Sequence, residues 1–400
     1  MSFDIALSGI HAINEQLESV SNNIANASTY GFKSSRANFS SVYAGSSANG
    51  VEIASHTQNI NQAGATQTTG RGLDAAIDGR GFFVARDPQG GMTYTRVGIF
   101  STDTNGYLVD SNGKMVQGYG PSKGGALGPM GDIKVPTGQI DASPTTKIAF
   151  VGNLSATWTK PAPAFDSENS SSYNMVKQSV VYDSIGTQHT ISQYFVKDTD
   201  TTVKVYYAMD GAKIKSGTTP APTENTLTFG LDGQLDKTTA PMSLSIAGSA
   251  AAAQVDFSID YTGTTKFAGE ATTTTNSSDG YASGAFVGVE LATDGSLVAK
   301  YSNDKSQVVG TIAIATFANE GALQSISETS WTANANSGAA LYNLPGLGLS
   351  GKLTTGALEG SNVDITSELV GLMTSQRNYQ ANSKVLSTEN QMMQALMQAL

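Results

Sequence analysis

Residues 365–400 read ITSELVGLMTSQRNYQANSKVLSTENQMMQALMQAL. Apolar or aromatic side chains recur in this stretch at a strict interval of seven: Ile365, Leu372, Tyr379, Leu386, Met393 and Leu400. A repeat of seven predicts a helix that carries a coiled-coil seam. The companion row of the seam is apolar only at its ends, with polar residues between them: Leu369, Gln376, Ser383, Asn390 and Met397. We therefore expect a seam that is weak by itself or that faces several partners.

The N-terminal segment carries a matching pattern. Its apolar side chains follow one another in steps of three or four, which predicts one stripe on a helix: Phe3, Leu7, Ile10, Ile13, Leu17, Val20 and Ile24. Burying one seam side chain contributes about 1.5 to 3 kcal/mol, whereas ordering each helical residue costs on the order of 1 kcal/mol. Because isolated helices are marginal in water, we expect the two terminal helices to pair, with further copies of the chain covering what remains exposed.

Between the two ends, short alternating runs separated by turn dipeptides predict β structure. Asn-Gly and Asp-Gly pairs fit tight hairpin turns because glycine tolerates positive φ; they lie at 105–106, 112–113, 210–211, 232–233, 279–280 and 294–295. Residues 271–278 are almost entirely Thr, Asn and Ser, which is typical of a linker. The predicted fold class is mixed and mainly β, with nested β domains between N- and C-terminal α-helices that pair as a coiled coil.

The domain organisation follows from the pairing of the ends, which also brings their flanking regions together. We expect an N-terminal helix over 1–30, a connecting region over 31–70, a discontinuous first β domain over 71–144 and 281–355, an inserted outer β domain over 145–280, and a C-terminal helix over 356–400. The middle of the sequence is then farthest from the helical ends.

Composition excludes several classes of protein. The net charge is -10 and no cluster of Lys and Arg offsets it, so nucleic-acid binding is not expected. The chain has no cysteine, which excludes disulfides and thiolate metal sites. The first residues lack the cationic and apolar runs of a secretory leader, and no segment is long and apolar enough for membrane insertion. Residence in the cytoplasm and export through a dedicated apparatus both stay open.

Residues 346–352, GLGLSGK, match the glycines of a dinucleotide fingerprint and nearly match a phosphate-binding loop. Leu353 stands where the phosphate-binding loop needs Ser or Thr to hold magnesium. Pro345 precedes the glycines, where the fingerprint needs a strand. We therefore interpret this segment as a turn.

The remaining candidate residues predict no active site. The three histidines lack the spacing of metal ligands: His11, His56 and His189. Three residues that resemble part of a calcium loop fit hairpin turns better: Asp103, Asn105 and Asp110. We expect neither enzymatic activity nor a metal or cofactor. Arg377, beside Tyr379, either bridges carboxylates or carbonyls between subunits or is a solvated helix charge.

Two long motifs carry a resemblance to a known family. Residues 21–33, SNNIANASTYGFK, resemble the N-terminal signature of bacterial flagellar rod and hook axial proteins. Residues 356–364, GALEGSNVD, followed by 376–382, QRNYQAN, are similar to the C-terminal signature of the same family. Residues 69–83, TGRGLDAAIDGRGFF, are similar to the segment that opens the β domain of these proteins. The motif residues that we single out are Asn22, Asn23, Asn26, Gly31, Phe32, Gln376, Arg377 and Tyr379.

The resemblance implies a structural subunit of the flagellar hook, because rod subunits are much shorter and the region over 145–280 resembles the additional outer domain of hook proteins. It implies export without a cleaved signal peptide to the extracellular flagellum, and self-assembly into a flexible curved tube that transmits torque from rod to filament. The implied partners are copies of the chain itself, the rod, hook cap, hook–filament junction and hook-length-control proteins, and the flagellar type III export apparatus. The alternatives are a distal rod or hook–filament junction subunit and, as a different class, a secreted adhesin or hydrolase.

Overall fold

A computed structural model describes residues 2–44, 47–121, 127–213, 223–237, 239–247 and 252–399. The chain divides into two compact units. Unit 1 comprises Met1–Thr137, Val287–Lys300 and Ser306–Leu400, and unit 2 comprises Gly138–Phe286 and Tyr301–Lys305. Unit 2 is therefore an insertion in the sequence of unit 1, and the range 145–280 expected for an inserted domain lies inside it.

Unit 1 begins with helix α1 (Ser2–Ala25). The strands that follow it are β1 (Ser35–Ala44), β2 (Ser47–Gln58), β3 (Thr66–Thr68), β4 (Ala75–Asp78), β5 (Phe82–Arg86), β6 (Met92–Thr95), β7 (Phe100–Thr102), β8 (Leu108–Asp110), β9 (Met115–Tyr119) and β10 (Met130–Asp132). The glycines of the predicted turns at 105–106 and 112–113 adopt φ of +82° and +78° and connect β7 to β8 and β8 to β9.

The connecting region predicted over 31–70 contains a long hairpin. Strands β1 and β2 pair antiparallel, with Ser35 opposite Gln58. The hairpin lies against α1, where the backbone N–H of Val51 donates to Ser8 Oγ over 3.2 Å. Its pairing shifts register after Asn38 and again before Tyr43. These irregularities remove the strict alternation by which a strand is recognised in a sequence.

Unit 2 is built from strands β11 (Lys147–Asn153), β12 (Met175–Tyr182), β13 (Gln188–Lys197), β14 (Thr202–Met209), β15 (Glu224–Thr228), β16 (Met242–Ile246), β17 (Val255–Asp260) and β18 (Thr272–Ser278), with a 3₁₀ turn at Ser170–Ser172. They form two four-stranded sheets, in the orders β16-β17-β11-β18 and β12-β13-β14-β15. Apolar side chains of both sheets share one buried core, which includes Phe150, Phe195, Leu227, Ile259 and Tyr261.

The Thr-rich segment at 271–278 is strand β18 and not a linker. It pairs antiparallel with β11, with Thr275 opposite Val151. β-branched threonines suit a pleated strand, and β18 lies at the end of its sheet, so few of its side chains need to be apolar. Asn276 also joins the two sheets, because its Nδ2 donates to Gln178 O over 2.7 Å and its Oδ1 accepts from Ser179 Oγ over 2.5 Å.

The last part of the chain adds strands β19 (Phe286–Leu291), β20 (Ser296–Tyr301), β21 (Ser306–Ile312), β22 (Ile314–Thr316), β23 (Gln324–Ile326), β24 (Ser330–Thr332), β25 (Leu341–Asn343), β26 (Lys352–Thr355) and β27 (Ala357–Glu359), a 3₁₀ turn at Glu320–Ala322, and helix α2 (Ile365–Ala399). The large sheet of unit 1 has the order β19-β20-β21-β9-β5-β6-β24-β23, with further strands paired off this path. Phe82, Tyr94, Phe317 and Trp331 pack together in its core.

Helix α2 begins at Ile365, later than the predicted start at 356. The carboxylate of Asp364 accepts the backbone N–H of Thr366 over 2.9 Å, which is the role of a helix N-cap. Before this cap, β27 pairs with β3, with Ala357 opposite Thr68. The terminal helices therefore join the β structure of unit 1 beside each other, α2 through β27 and α1 through residues 26–34.

Candidate assembly surface and terminal junction

Helices α1 and α2 pack against each other antiparallel. Asn23, near the end of α1, donates from Nδ2 to Glu368 Oε1 near the start of α2 over 2.9 Å. At the other end of the pair, a Cβ added to Gly9 would lie 2.7 Å from Asn382 Nδ2. The two helices thus approach closely at Gly9, where a larger residue would force the side chain of Asn382 to move.

The buried face of α1 is made largely of small residues, and only part of the predicted stripe lies on it. The residues of α1 that lie buried are Ala6, Gly9, Ala12, Ile13, Ser19, Val20 and Asn23. Of the remaining predicted stripe, Ile10, Leu17 and Ile24 are half-buried, whereas Phe3 and Leu7 are exposed. Ala6 and Gly9 lie on the covered side instead, and the absence of a side chain at Gly9 permits the close approach of Asn382 of α2.

The face of α2 that packs on α1 is mainly polar. It consists of a row at intervals of seven, with two leucines beside it: Glu368, Ser375, Asn382 and Glu389, with Leu372 and Leu386. In the row predicted as the seam, Ile365, Tyr379 and Met393 are exposed. Leu400 lies outside the described residues. Of the described apolar seam residues, only Leu372 and Leu386 therefore lie where the two helices join within one chain, and the closest contact there is between Asn382 and Gly9.

Most of the large apolar side chains of the two helices remain uncovered within the described chain. We call this set the terminal apolar face; it comprises Phe3, Ile5 and Leu7 of α1 and Ile365, Leu369, Val370, Met373, Tyr379, Val385, Met392, Met393, Leu396 and Met397 of α2. Exposure rises to 77% at Met397. Monomeric proteins seldom expose so many apolar side chains on one element, and such patches mark surfaces that bind another protein.

The asparagines of the N-terminal motif form side-chain hydrogen bonds that hold the end of α1 in place. Buried Asn23 donates from Nδ2 to Ser35 O over 2.8 Å, and its Oδ1 accepts the backbone N–H of Ser35 over 2.9 Å. With its bond to Glu368, one side chain joins α1, β1 and α2. Asn26 Nδ2 donates to Asn22 Oδ1 over 2.6 Å, so the last turn of α1 is closed by side chains.

Gly31 and Phe32 form the exit from α1. Gly31 adopts φ of +68°, and a Cβ there would lie 3.0 Å from the backbone nitrogen of Val97. Both conditions favour glycine. Its N–H donates to Glu359 O over 2.8 Å, while Phe32 is half-buried and its carbonyl accepts the N–H of Asn362 over 3.4 Å. The N-terminal motif therefore contacts the C-terminal one directly.

A buried cluster of charges lies at this junction. Lys33 Nζ is 2.6 Å from Glu359 Oε1, and Arg96 Nη1 is 3.3 Å from Glu359 Oε2. The backbone N–H of Gly64 also donates to Glu359 Oε1, over 3.0 Å, and Lys33 donates to Gln62 O over 2.7 Å. Burial lowers the pKa values of Lys33 and Arg96, and the carboxylate of Glu359 partly offsets this effect. One anion thus holds two buried cations.

This cluster was missed by the sequence analysis, although Lys33 and Glu359 both lie inside the quoted motifs. Each residue alone has the pattern of an ordinary surface charge. The two motifs are expected to meet, and one contains a Lys while the other contains a Glu. This was the only sequence feature that could have suggested the pairing of Lys33 with Glu359. The C-terminal motif residues Gln376, Arg377 and Tyr379 lie elsewhere, exposed along α2.

The other candidate motifs form turns. In the segment 346–352, Ser350 Oγ donates to Leu344 O over 2.7 Å, and Gly346 and Gly348 have positive φ. Asp103 Oδ1 accepts the backbone N–H of Asn105 over 2.9 Å, which stabilises the turn after β7. Among the described residues, no three His, Asp or Glu side chains converge in a metal-sized group.

The histidines are scattered. His11 is exposed on α1, His56 Nε2 lies 3.7 Å from Glu15 Oε2, and His189 Nδ1 lies 2.6 Å from Asp210 Oδ2 in unit 2. Neither α1 nor α2, over the part of each that the structure describes, combines the length and apolarity that crossing a membrane requires.

Four family models match successive parts of the chain. They are the flagella basal body rod protein at residues 3–33, the flagellar hook protein FlgE/F/G D1 domain at 76–156, the flagellar basal body protein FlaE D2 domain at 153–281, and the flagellar basal body rod FlgEFG protein C-terminal region at 354–399. The first and last of these contain the motifs that meet at the junction.

Curated relatives match the chain over nearly its whole length. The flagellar hook protein FlgE of Salmonella typhimurium is 37% identical over 99% of both chains, and that of Escherichia coli is 36% identical over 99% of both. The solved structure of Helicobacter pylori flagellar hook protein FlgE2 has a TM-score of 0.53 at 14% identity, covering 73% of this chain and 100% of that one, which supports the fold. The chain thus belongs to the flagellar hook protein family and is a non-enzymatic structural subunit of the bacterial flagellar hook.

Proposed function

We propose that copies of this chain build the hook tube by covering one another's terminal apolar faces. The exposed residues of the predicted seam, including Leu369, Tyr379 and Met393, then contact neighbouring copies and not the chain's own α1. The observation that carries this proposal is the exposure of the terminal apolar face on helices that are otherwise paired. Large residues placed on the outer sides of a helix pair leave a surface that only another molecule can cover.

The magnitudes support assembly from many small contributions. Covering one half-exposed apolar side chain contributes on the order of 1 kcal/mol. Association also costs free energy through lost motion of each subunit, so several such side chains must be covered for each copy added. The terminal apolar face supplies them on both α1 and α2. A tube, in which each copy has several neighbours, covers more of this surface than a dimer does.

In this proposal the motif residues have a different task from the seam residues. Asn23, Gly31 and the Lys33–Glu359 pair set the direction in which the helices extend from the β structure of unit 1. The resulting fixed exit gives every copy the same geometry, which a helical polymer requires. The junction transmits torque from rod to filament because it connects the helices of each copy to its β structure, and the tube bends through changes in the contacts between copies.

The finer partners also belong to the proposal. Both helical segments match models of rod proteins, which supports contact with rod subunits through similar helices at the base of the tube. The hook cap and the hook–filament junction proteins would cover the terminal apolar face at the other end, and the hook-length-control protein would act on the same tube.

Export through the flagellar type III apparatus without a cleaved leader fits this arrangement, since Phe3, Ile5 and Leu7 belong to the proposed assembly surface. Cleavage after Leu7 would remove part of that surface. Mass spectrometry of subunits taken from hooks should find Phe3 present. Subunits that begin after Leu7 would contradict this part of the proposal.

The experiment that tests assembly changes four exposed residues near the end of α2 to glutamine: Met392, Met393, Leu396 and Met397. The matched control changes three polar residues of the same turns, Gln391, Gln394 and Gln398, to asparagine. Negative-stain imaging should show tubes for the unmodified chain and the control but none for the fourfold variant. Normal tubes from the fourfold variant would refute the proposal.

A further inference from the structure

A polar groove of about 660 Å³ lies beside α1 in unit 1. Its lining includes Glu15, Glu18 and Asn22 of α1 and His56 and Gln58 of β2. His56 approaches Glu15 only to 3.7 Å. Glu18 has no ion-pair partner within the part of the chain that the structure describes. This face of α1 is therefore acidic and open.

The charges of the two helices are unequal. The ionised side chains of α1 are all acidic, Asp4, Glu15 and Glu18. Helix α2 carries two cations, Arg377 and Lys384, both exposed. Neither cation has an ion pair or a side-chain hydrogen bond with any described residue. Among the described residues, Glu18 of α1 therefore lacks a cation as a partner, and Arg377 and Lys384 of α2 each lack a carboxylate.

The positions of these charges prevent them from pairing within one chain. Ser375 is the buried residue of α2 that faces α1, and Arg377 lies two residues on, about 200° around the helix. The contacts of Gly9 with Asn382 and of Asn23 with Glu368 fix the register of the helices. By this register Arg377 lies level with Asn14, one residue from Glu15. Arg377 and the groove therefore lie at the same height along the helix axes but on different sides of the helix pair.

We infer that Arg377 of one copy enters the groove at Glu15 and Glu18 of a laterally adjacent copy in the hook tube. A neighbouring copy that lies beside the first at the same height along the helix axes brings its groove next to Arg377, as this pairing requires. Guanidinium suits the site because its planar fork can bond both carboxylates or one carboxylate twice. The inference rests on the proposed assembly through the helices and names a contact that fixes the relative height of neighbours.

Charge reversal tests the pairing. Arg377→Glu should raise the critical concentration for tube assembly about tenfold or more, since like charges then meet in the interface. Glu15→Arg with Glu18→Arg should do the same, and the three changes combined should restore assembly. Lys384→Glu is the matched control, because it reverses the other exposed cation of α2, and it should shift the critical concentration less than about threefold.

Two results would overturn the pairing. One is that Arg377→Glu assembles like Lys384→Glu, and the other is that the combined variant assembles no better than Arg377→Glu alone. Circular dichroism of each monomer identifies any variant that fails to fold. Failure of the unmodified chain to form tubes would instead count against the proposed assembly, and with it against this contact.

Cross-linking gives a readout that does not depend on stability. The chain has no cysteine of its own, so Glu18→Cys and Arg377→Cys can be made as separate proteins and mixed before assembly. A short bis-maleimide should join one copy of each in tubes and not in the monomer fraction. Absence of this mixed dimer in well-formed tubes would also refute the pairing.

Discussion

Lys33 Nζ lies 2.6 Å from Glu359 Oε1, and both side chains are almost completely buried. The residues that follow α1 are thereby tied to the residues that precede α2. Arg96 joins the same carboxylate from the loop after β6. The two ends of the chain and the β structure between them thus share one ionic contact, and its loss should affect all three.

Glu359→Gln should destabilise unit 1 by about 3 to 5 kcal/mol, because it leaves two buried cations without their anion. Urea unfolding monitored by Trp331 emission in a Trp158→Phe background reports on unit 1, since Trp331 lies in its core. The control is Glu290→Gln, which breaks the exposed pair with Lys300 and should change the free energy of unfolding by less than about 1 kcal/mol. Equal effects of the two substitutions would show that the buried cluster is not important for stability.

Asn23→Ala should release the start of β1 from α1. The backbone N–H of Ser35 loses its acceptor, and the side-chain bonds to Ser35 O and Glu368 are lost with it. We expect a loss of about 1 to 3 kcal/mol in local stability, measured as faster hydrogen exchange around Ser35. Asn14→Ala, at an exposed position of the same helix, should leave that exchange unchanged. Unaltered hydrogen exchange around Ser35 in Asn23→Ala would show that Asn23 does not hold β1 against α1.

Unit 2 should lose stability at acid pH through Asp260. Hydrogen bonds from Thr262 and the ammonium of Lys147 lower the pKa of Asp260 to about 2, from 3.8. A lowered carboxyl pKa stabilises the folded state above the unfolded pKa, and this contribution, on the order of 1 kcal/mol after solvent screening, is lost as pH falls from about 4 to 2. Urea unfolding should be followed through Trp158 of unit 2 in a Trp331→Phe background. The advantage over Asp260→Asn should shrink across this range, and a constant difference would exclude Asp260 as the cause.

The sequence allowed the helices to be predicted more completely than the way they pack. Ile13 and Val20 follow the predicted stripe because both lie where α1 is covered by the rest of the chain. Phe3 and Leu7 obey the same spacing yet are exposed. Periodicity gives the side of a helix that is apolar, but it does not tell whether the same chain or a neighbouring copy covers that side.

The contacts that join the chain ends could not be read from local patterns. Lys33 and Glu359 are far apart in the sequence, and each looks like a surface charge until the fold brings them together. The close approach of Gly9 to Asn382 is likewise a long-range relationship. The small residues Ala6, Gly9 and Ala12 indicate a face of α1 that another helix could approach closely. Periodicity is judged mainly from large apolar side chains, so this face was not recognised.

The hairpin of β1 and β2 was missed for a different reason. Its strands pair only with each other, and aromatic residues such as Phe39 and Tyr43 are exposed on it. Register shifts interrupt the alternation further. Such strands lack the contrast between a buried and an exposed face on which strand prediction depends.

The most direct test of assembly through the terminal apolar face is thiol labelling of Met393→Cys before and after polymerisation. Met393 is 61% exposed in the single chain. Asp200→Cys serves as the control, since Asp200 is a fully solvated side chain of unit 2. We expect maleimide to label both positions rapidly in monomers, and only Asp200→Cys in tubes. Equal labelling of Met393→Cys in tubes and in monomers would show that neighbouring copies do not cover this face.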